Sequence, residues 1–159
     1  MAWRGTTSPL DRTFACLPYL LPLLDGLIFA VPILNQFPVI RPIFAPLLVL
    51  YQIYQGVPFL GLIIFFALFL LVVRNENVSH FIRFNTMQAI LLDIVLILCS
   101  IISQYVLQPA LGGGLLLETL YNVVFLGTVA AIVYSVAQSV LGRYAEIPTI
   151  SDAVYMQVR

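Results

Sequence analysis

Charged residues are scarce in this sequence, and lysine is absent from it altogether. Only 9% of the 159 residues are charged, whereas 62% are hydrophobic and the mean hydropathy is +1.05. Soluble domains carry about a quarter charged residues, so a chain of this composition cannot cover its own surface with polar groups. Lipid must therefore be its solvent, and we expect one membrane domain over residues 1–159.

The low charge also excludes several classes of function. Seven arginines balance seven acidic residues, so no basic field attracts nucleic acid, and no nucleic-acid partner is expected. His80 is the single histidine, and Cys16 and Cys99 stand alone in apolar runs, so neither a metal site nor a disulfide framework is predicted. Nucleophile-elbow, metalloprotease and phosphate-loop motifs are missing as well. The sequence thus predicts no enzyme activity and no cofactor.

Apolar runs dominate what remains and predict an all-α, polytopic transmembrane helical bundle. A span needs about 20 apolar residues to cross a hydrocarbon core of about 30 Å. Four predicted spans cover, approximately, residues 13–37, 57–73, 84–107 and 115–140. Residues 38–55 are expected to be interfacial or re-entrant, because Gln52 and Gln55 interrupt an apolar part that is too short to span. A complete fifth crossing by residues 38–55 is the alternative.

The arginines indicate how the bundle is oriented. With four crossings, six of the seven share the side of the termini and of the loop 74–83, and only Arg41 lies opposite. The six are Arg4, Arg12, Arg74, Arg83, Arg143 and Arg159. Short loops rich in arginine stay on the cytoplasmic side, so we expect both termini and the tail 141–159 to be cytoplasmic or stromal. A fifth crossing would remove this asymmetry.

Polar residues inside the predicted spans are the candidate functional residues, because ionisable groups there are costly and face protein or water. The candidates are Asp25, Asp93, Ser100, Gln104, Glu118 and Asn122. Asp93, Ser100 and Gln104 share one stripe of a helix with 3.6 residues per turn, and Thr86 extends it. Two interpretations stay open: the polar lining of a path through the membrane, or hydrogen bonds between helices.

Small residues recur at intervals of four along the fourth predicted span. They are Gly127, Ala131, Ser135 and Ser139. Small side chains at this spacing let two helix backbones approach closely, which is the main packing device of membrane helices. The pattern predicts a helix-packing seam, either within the bundle or between copies of the chain.

One polar, irregular stretch resembles a known family. Residues 79–94, SHFIRFNTMQAILLDI, are similar to the signature of the Tic-twenty (Tic20) family, and so are three further stretches. These are DRTFACLPYLLPL (11–23), FFALFLLVVRN (65–75) and IPTISDAVY (147–155). The central motif residues are Arg83, Phe84, Asn85, Thr86 and Gln88. As a helix start, this motif predicts that Arg83 extends to lipid headgroups and that the amides find early backbone or inter-subunit partners.

The resemblance implies more than the residues alone. The family comprises the small four-span subunit of the translocon at the inner chloroplast envelope, with cyanobacterial and plastid-encoded relatives. It implies a subunit of a protein translocation complex that lines or forms a protein-conducting path, with other membrane subunits and a translocating polypeptide as partners. It implies no enzyme activity.

The start of the chain suggests where the protein is made. The resemblance implies a long Ser-rich transit peptide in nuclear-encoded plant members, whereas only about a dozen residues precede the first span here. We therefore expect synthesis in the compartment where the protein works. That compartment is a cyanobacterium, with the plasma or thylakoid membrane as location, or a plastid, with the inner envelope. A small-solute channel or transporter, and a structural membrane assembly factor, remain alternatives. For a lipid-modifying membrane enzyme the sequence offers no nucleophile, metal site or phosphate motif.

Overall fold

The computed structural model describes residues 6–158, and within them every regular element is a helix. The helices are α1 (Pro9–Gln36), α2 (Pro38–Gly56), α3 (Leu60–Val73), α4 (His80–Leu111), α5 (Leu115–Val140) and α6 (Ile150–Gln157). Three of them, α1, α4 and α5, are long and apolar enough to cross a membrane. The pair α2 and α3 makes a fourth candidate span, bent by 96° at its break. The predicted all-α transmembrane fold is confirmed.

Helix α1 begins with a capping box and stays helical through its prolines. The Ser8 hydroxyl accepts from the Asp11 backbone N–H, while the Asp11 carboxylate accepts from the Ser8 backbone N–H, both at 3.1 Å. Proline removes a backbone donor and crowds the preceding turn. The helix responds by tightening into 3₁₀ turns at Leu17–Tyr19 and Leu27–Ala30. These adjustments let one long helix carry Tyr19 and Asp25 into the bundle.

The bend between α2 and α3 lies at Phe59, whose φ of 61° is left-handed. Helix α2 starts beside the end of α1, where Arg41 donates to the Leu34 carbonyl at 2.9 Å. Helix α3 finishes beside the start of α4, where the Val73 carbonyl accepts from Arg83 at 2.9 Å. The segment from α2 to α3 therefore joins the two ends of the bundle, although neither helix does so alone.

The first described residues and the stretch that precedes the tail lie at one end of the bundle, here called the terminal end and defined by residues 7–12, 79–80 and 140–144. There Arg12 donates to the Val140 carbonyl at 3.3 Å, and the His80 ring meets the Tyr144 hydroxyl at 3.0 Å. At the opposite end, the Gln36 amide contacts Glu118 at 3.4 Å. This arrangement fits an even number of crossings. Arg4 and Arg159, which enter the orientation argument, lie outside the described residues.

The tail folds back onto the bundle. Helix α5 stops at Gly142, whose φ of 72° allows the Arg143 N–H to bond the Gln138 carbonyl at 2.8 Å, as in a Schellman cap. Val154 of helix α6 and Val158 just after it then pack against Phe84 and Met87 of α4 in one buried cluster. The tail is thus part of the folded domain.

Candidate functional sites inside the bundle

The most polar part of α4 is also its most buried part. Asn85, Thr86 and Gln88 are 0% exposed, and Arg83 is 9% exposed. Phe84, Met87, Ala89 and Ile90 fill the positions between them and are buried as well. Buried amides need partners, because an unpaired one costs about 1–3 kcal/mol. This requirement explains the polar network around them.

Asn85 links α4 to α1 and α5. Its side-chain oxygen accepts from the Tyr19 hydroxyl at 3.0 Å and from the Ser139 hydroxyl at 2.9 Å. Its amide nitrogen donates to the Phe81 carbonyl one turn earlier, at 2.9 Å. Both the oxygen and the nitrogen of this amide are bonded to other groups of the protein. The bonds to Tyr19 and Ser139 hold α1 and α5 in register with α4.

Gln88 extends the same network to the tail. Its amide nitrogen donates to Tyr19 at 3.1 Å and to Ser135 at 3.2 Å. Its oxygen accepts from the Ser151 hydroxyl at 3.2 Å, and Ser151 in turn accepts from the Ile147 N–H. We call the set Tyr19, Asn85, Gln88, Ser135, Ser139 and Ser151 the amide network. It joins α1, α4, α5 and α6 at the terminal half of the bundle.

Arg83 does not extend to headgroups as predicted. It is nearly buried, and its Nε donates to the carbonyl of Val73 at the end of α3. The last carbonyls of a helix have no partner within the helix, and a guanidinium supplies one. The side chain therefore ties α3 to α4 rather than reaching for lipid.

A second polar site lies deeper in the bundle, where α1, α2 and α4 meet. The side chains of Asp25 and Asp93 face the same cavity. The Tyr54 hydroxyl donates to Asp25 at 3.0 Å. Asp93 is 1% exposed, and its Oδ1 has no partner within the described structure. We call Asp25 and Asp93 the carboxyl pair.

A glycine makes room for Tyr54 in this site. A Cβ added to Gly61 of α3 would overlap the Tyr54 hydroxyl. The bend at Phe59 folds α3 back so that Gly61 covers the tyrosine that holds Asp25. The site therefore depends on four helices, and the contribution of α3 is a glycine that leaves space for the Tyr54 hydroxyl.

Two cavities border the carboxyl pair. The first, of about 390 Å³, is lined by both acids, by Tyr54 and by apolar residues that include Phe65 and Ile97. The second, of about 280 Å³, touches Asp25 and is polar at Gln55, Ser100 and Gln104. A third cavity, of about 430 Å³, lies towards the terminal end and is almost wholly apolar. Among the described residues that line the first two cavities there is no histidine or arginine.

The stripe predicted on α4 enters the bundle only over its first half. Thr86 and Asp93 are buried, Ser100 is half-buried, and Gln104 is exposed and donates to Ser100 at 3.3 Å. The helix continues to Leu111, beyond the helices that cover its start. The outer part of the stripe therefore borders a cavity instead of a packed interface.

Glu118 and Asn122 lie together at the opposite end, apart from the carboxyl pair. Both contact Gln36 of α1, Glu118 at 3.4 Å and Asn122 at 3.3 Å.

The small residues of the predicted packing seam on α5 do not all face the bundle. Ser135 and Ser139 are buried in the amide network and Ala131 is half-buried, whereas Gly127 is exposed with nothing within 4 Å of an added Cβ. Neighbouring Thr128 makes the close approach instead, 3.2 Å from a Cβ placed on Gly26.

Sequence reasoning missed Tyr19, Tyr54 and Ser151. Hydroxyl groups are common in membrane helices, and neither periodicity nor charge distinguishes those that bond a buried amide or acid. Tyr19 and Ser151 do fall within the stretches 11–23 and 147–155 that carry the family resemblance. Tyr54 has no such signal. No cluster of three or more metal-ligating side chains occurs in residues 6–158.

Comparisons with known proteins cover nearly the whole chain. A family model described as chloroplast import apparatus Tic20-like matches residues 8–154. A Tic20 family protein of Synechocystis is 54% identical over 159 residues, which is 100% of this chain and 99% of that protein. Protein TIC 20-II, chloroplastic, of Arabidopsis thaliana is 32% identical over 96% of this chain and 74% of its own length. The Tic20 family protein Ycf60 of Porphyra purpurea is 34% identical over 92% and 75%, respectively.

Proposed function

This chain belongs to the Tic20 family, and from that premise we propose that it is a membrane subunit of a protein translocation complex. Relatives from plants are named as chloroplast proteins of this family, and the family itself is described as chloroplast import apparatus. In this chain the role is structural and conductive rather than enzymatic. Its location is a cyanobacterial plasma or thylakoid membrane or the plastid inner envelope, with both termini cytoplasmic or stromal.

The observation that carries the conductive part of the proposal is the polar cavity beside α1, α2 and α4. Gln55, Ser100 and Gln104 line it, and Asp25 lies at its inner limit. A charged side chain facing lipid in the middle of a bilayer would cost about 2.5–3.5 kcal/mol. Asp25 and the polar side chains beside it therefore favour a surface that water, another subunit or a moving polypeptide covers.

The dimensions of the bundle support a shared path. Three or four packed helices leave cavities of about 280 to 430 Å³ among the described residues, which are too small for an extended polypeptide to pass through one copy. A path would therefore form where this surface meets other membrane subunits or further copies. The exposed apolar faces of α4 and α5 are available for lipid or for such partners.

Site-specific photo-crosslinking tests the proposal in the native membrane. A photoreactive residue at Gln104, on the polar cavity, should give adducts with other membrane subunits and with a secretory or imported polypeptide arrested in transit. The same probe at Val133, an exposed apolar position of α5, is the matched control and should not capture the polypeptide. Exclusive capture of lipid at Gln104, together with purification as a lone protein, would contradict a translocon role.

A small-solute channel or transporter is the second candidate, because an acidic pair inside the membrane is typical of cation and proton paths. Reconstitution of the purified chain alone separates the two. Solute flux that disappears in Asp25→Asn would favour the channel. Liposomes that show no solute flux, combined with the Gln104 adducts, would favour the translocation subunit.

A further inference from the structure

We propose that the carboxyl pair Asp25–Asp93 is a binding site for one exchangeable proton, reached through the polar cavity from the end of the bundle opposite the termini. Such a proton site does not depend on whether the cargo of the complex is a polypeptide or a solute.

Two acids that share one cavity without a cation require a proton. Asp25 and Asp93 line the same cavity, and Asp93 is 1% exposed. Two negative charges placed there would repel, and burial would strengthen the repulsion. An ionised carboxylate only accepts hydrogen bonds, so one of the two acids must be protonated before it can bond the other. One shared proton removes the repulsion and leaves the pair with a single negative charge.

The surroundings of the pair offer no positive charge to balance the two carboxylates. Against the pair, α1 and α4 present only the acids themselves, and α2 presents the titratable groups Tyr51 and Tyr54. Helix α3 contributes Gly61, Leu62 and Phe65, which carry no charge, and α5 approaches with Thr128 at Gly26. The Tyr54 hydroxyl supplies one donor to Asp25. Among the described residues of these helices, no cation faces the acids, so the proton is the positive group that the site receives.

An unpartnered oxygen indicates where that proton can move. Oδ1 of Asp93 is buried, has no hydrogen-bond partner, and belongs to a side chain that lines the cavity of about 390 Å³. A buried carboxyl oxygen left without a partner is costly. It is a place for a water molecule or for the proton itself, since a carboxyl group can carry the proton on either oxygen.

The two sides of the pair differ in polarity. Towards the opposite end, Asp25 borders the cavity that Gln55, Ser100 and Gln104 line, and Gln104 donates to Ser100 at 3.3 Å. Towards the terminal end lies the larger apolar cavity, where the Thr86 hydroxyl oxygen is buried without a partner. Water needs two or more polar partners to occupy a cavity. Protons therefore reach the pair from the opposite end, and the terminal side is a dry barrier.

Infrared difference spectroscopy of the purified full chain in lipid nanodiscs tests the site. We expect a protonated-carboxyl C=O band that disappears as the pH rises and that is lost in the double variant Asp25→Asn/Asp93→Asn. Glu118→Gln removes an acid at the bundle surface and should leave the band unchanged. Tyr54→Phe keeps both acids but removes one donor, so the band should shift in frequency; this variant serves if the double variant does not fold.

The route is tested by the rate at which the same band shifts in deuterated buffer. Ser100→Ala/Gln104→Leu should slow the exchange, whereas Thr86→Val, on the apolar side, should not. A band that survives the double variant, or that neither titrates nor exchanges, would overturn the proposal. Slowing by Thr86→Val alone would overturn the assigned direction. None of these results bears on the crosslinks that test the translocation role.

Discussion

At the scale of single residues, two amide side chains of α4 do what a hydrophobic core does in soluble proteins. Helices in lipid are not driven together by the hydrophobic effect, so interhelical hydrogen bonds and close packing decide their arrangement. Asn85 and Gln88 bond to hydroxyl groups of α1, α5 and α6. Packing therefore explains the central motif residues Asn85 and Gln88, whereas Asp93, near the end of the same stretch, belongs to the carboxyl pair.

Replacing Gln88 with leucine tests the amide network. The change removes contacts to Tyr19, Ser135 and Ser151 and leaves their hydroxyl groups short of a partner. At about 0.6 kcal/mol for an average interhelical hydrogen bond, we expect a loss of about 2 kcal/mol of stability in detergent unfolding. Gln104→Leu is the matched control, because Gln104 is exposed and bonds only Ser100. Equal stability of the two variants would show that the network contributes little.

Two glycine substitutions distinguish a glycine that is needed to make space for a neighbouring side chain from one that only lowers helix propensity. Gly61→Ala should push the Tyr54 hydroxyl away from Asp25 and lower the thermal stability. Gly127→Ala meets nothing within 4 Å and lies inside a long helix, so it should stabilise by about 0.5–1 kcal/mol. Both are measured as shifts in the melting temperature in one detergent. A gain of stability in Gly61→Ala would mean that Tyr54 does not occupy this position.

At the scale of elements, the bend between α2 and α3 shapes the carboxyl-pair site. Helix α2 starts beside the end of α1, yet its Tyr54 bonds Asp25. At 1.5 Å per residue, Asp25 lies about 17 Å along α1 from Gln36, the last residue of that helix. Helix α3 then runs to the start of α4. The segment 38–55, predicted to be interfacial or re-entrant, thus leads inwards at its second half. Whether it stays on one side of the bilayer remains a prediction.

Cysteine labelling locates this segment, in a chain whose Cys16 and Cys99 have been replaced by alanine. Pro38→Cys should react with an impermeant maleimide added from the extracytoplasmic side. Gly56 is exposed on the bundle surface, but Gly56→Cys should react poorly from either side, because Tyr54, two residues earlier, bonds Asp25 in the middle of α1 and so places position 56 at the depth of the hydrocarbon core. Asn77→Cys, in the loop between α3 and α4, should react only from the cytoplasmic side. Rapid labelling of position 56 from the extracytoplasmic side would favour an interfacial or re-entrant segment.

At the scale of the whole molecule, the start of α1 and the tail that carries α6 both pack at the terminal end of the bundle. Arg12 bonds the last turn of α5, and Ser79 contacts Asp11 at 3.5 Å. The tail packs on α4 through Val154. Together with the arginine bias, this arrangement favours termini that share the cytoplasmic or stromal side.

Protease treatment of sealed, right-side-out vesicles checks that orientation. Epitope tags at both termini should survive, and both should be digested once detergent opens the vesicles. Detergent treatment is the control for protease access. Loss of one tag alone from sealed vesicles would require an odd number of crossings, and loss of both would reverse the orientation.

Composition and hydropathy were sufficient to predict a helical membrane domain, because a chain this apolar can satisfy its backbone in lipid only by forming helices or a closed barrel. The length of the apolar runs placed the long helices α1, α4 and α5, and the irregular motif around Asn85 identified the family. The stripe on α4 also predicted that Asp93 faces protein. These conclusions depend on local sequence, which is why one chain was enough.

Tertiary structure alone decided which polar groups meet. Asp25 and Asp93 are 68 positions apart, and they line one cavity only because of how α1 crosses α4. Tyr54 reaches Asp25 from α2, and the left-handed bend at Phe59, where the sequence has no glycine, then places Gly61 of α3 over this tyrosine. Gly127 fits a packing pattern but faces outwards, whereas Gly61 has no pattern and is essential for space. The periodicity of a sequence indicates which residues share one face of a helix, whereas only the packing of the helices shows which residues of other helices that face contacts.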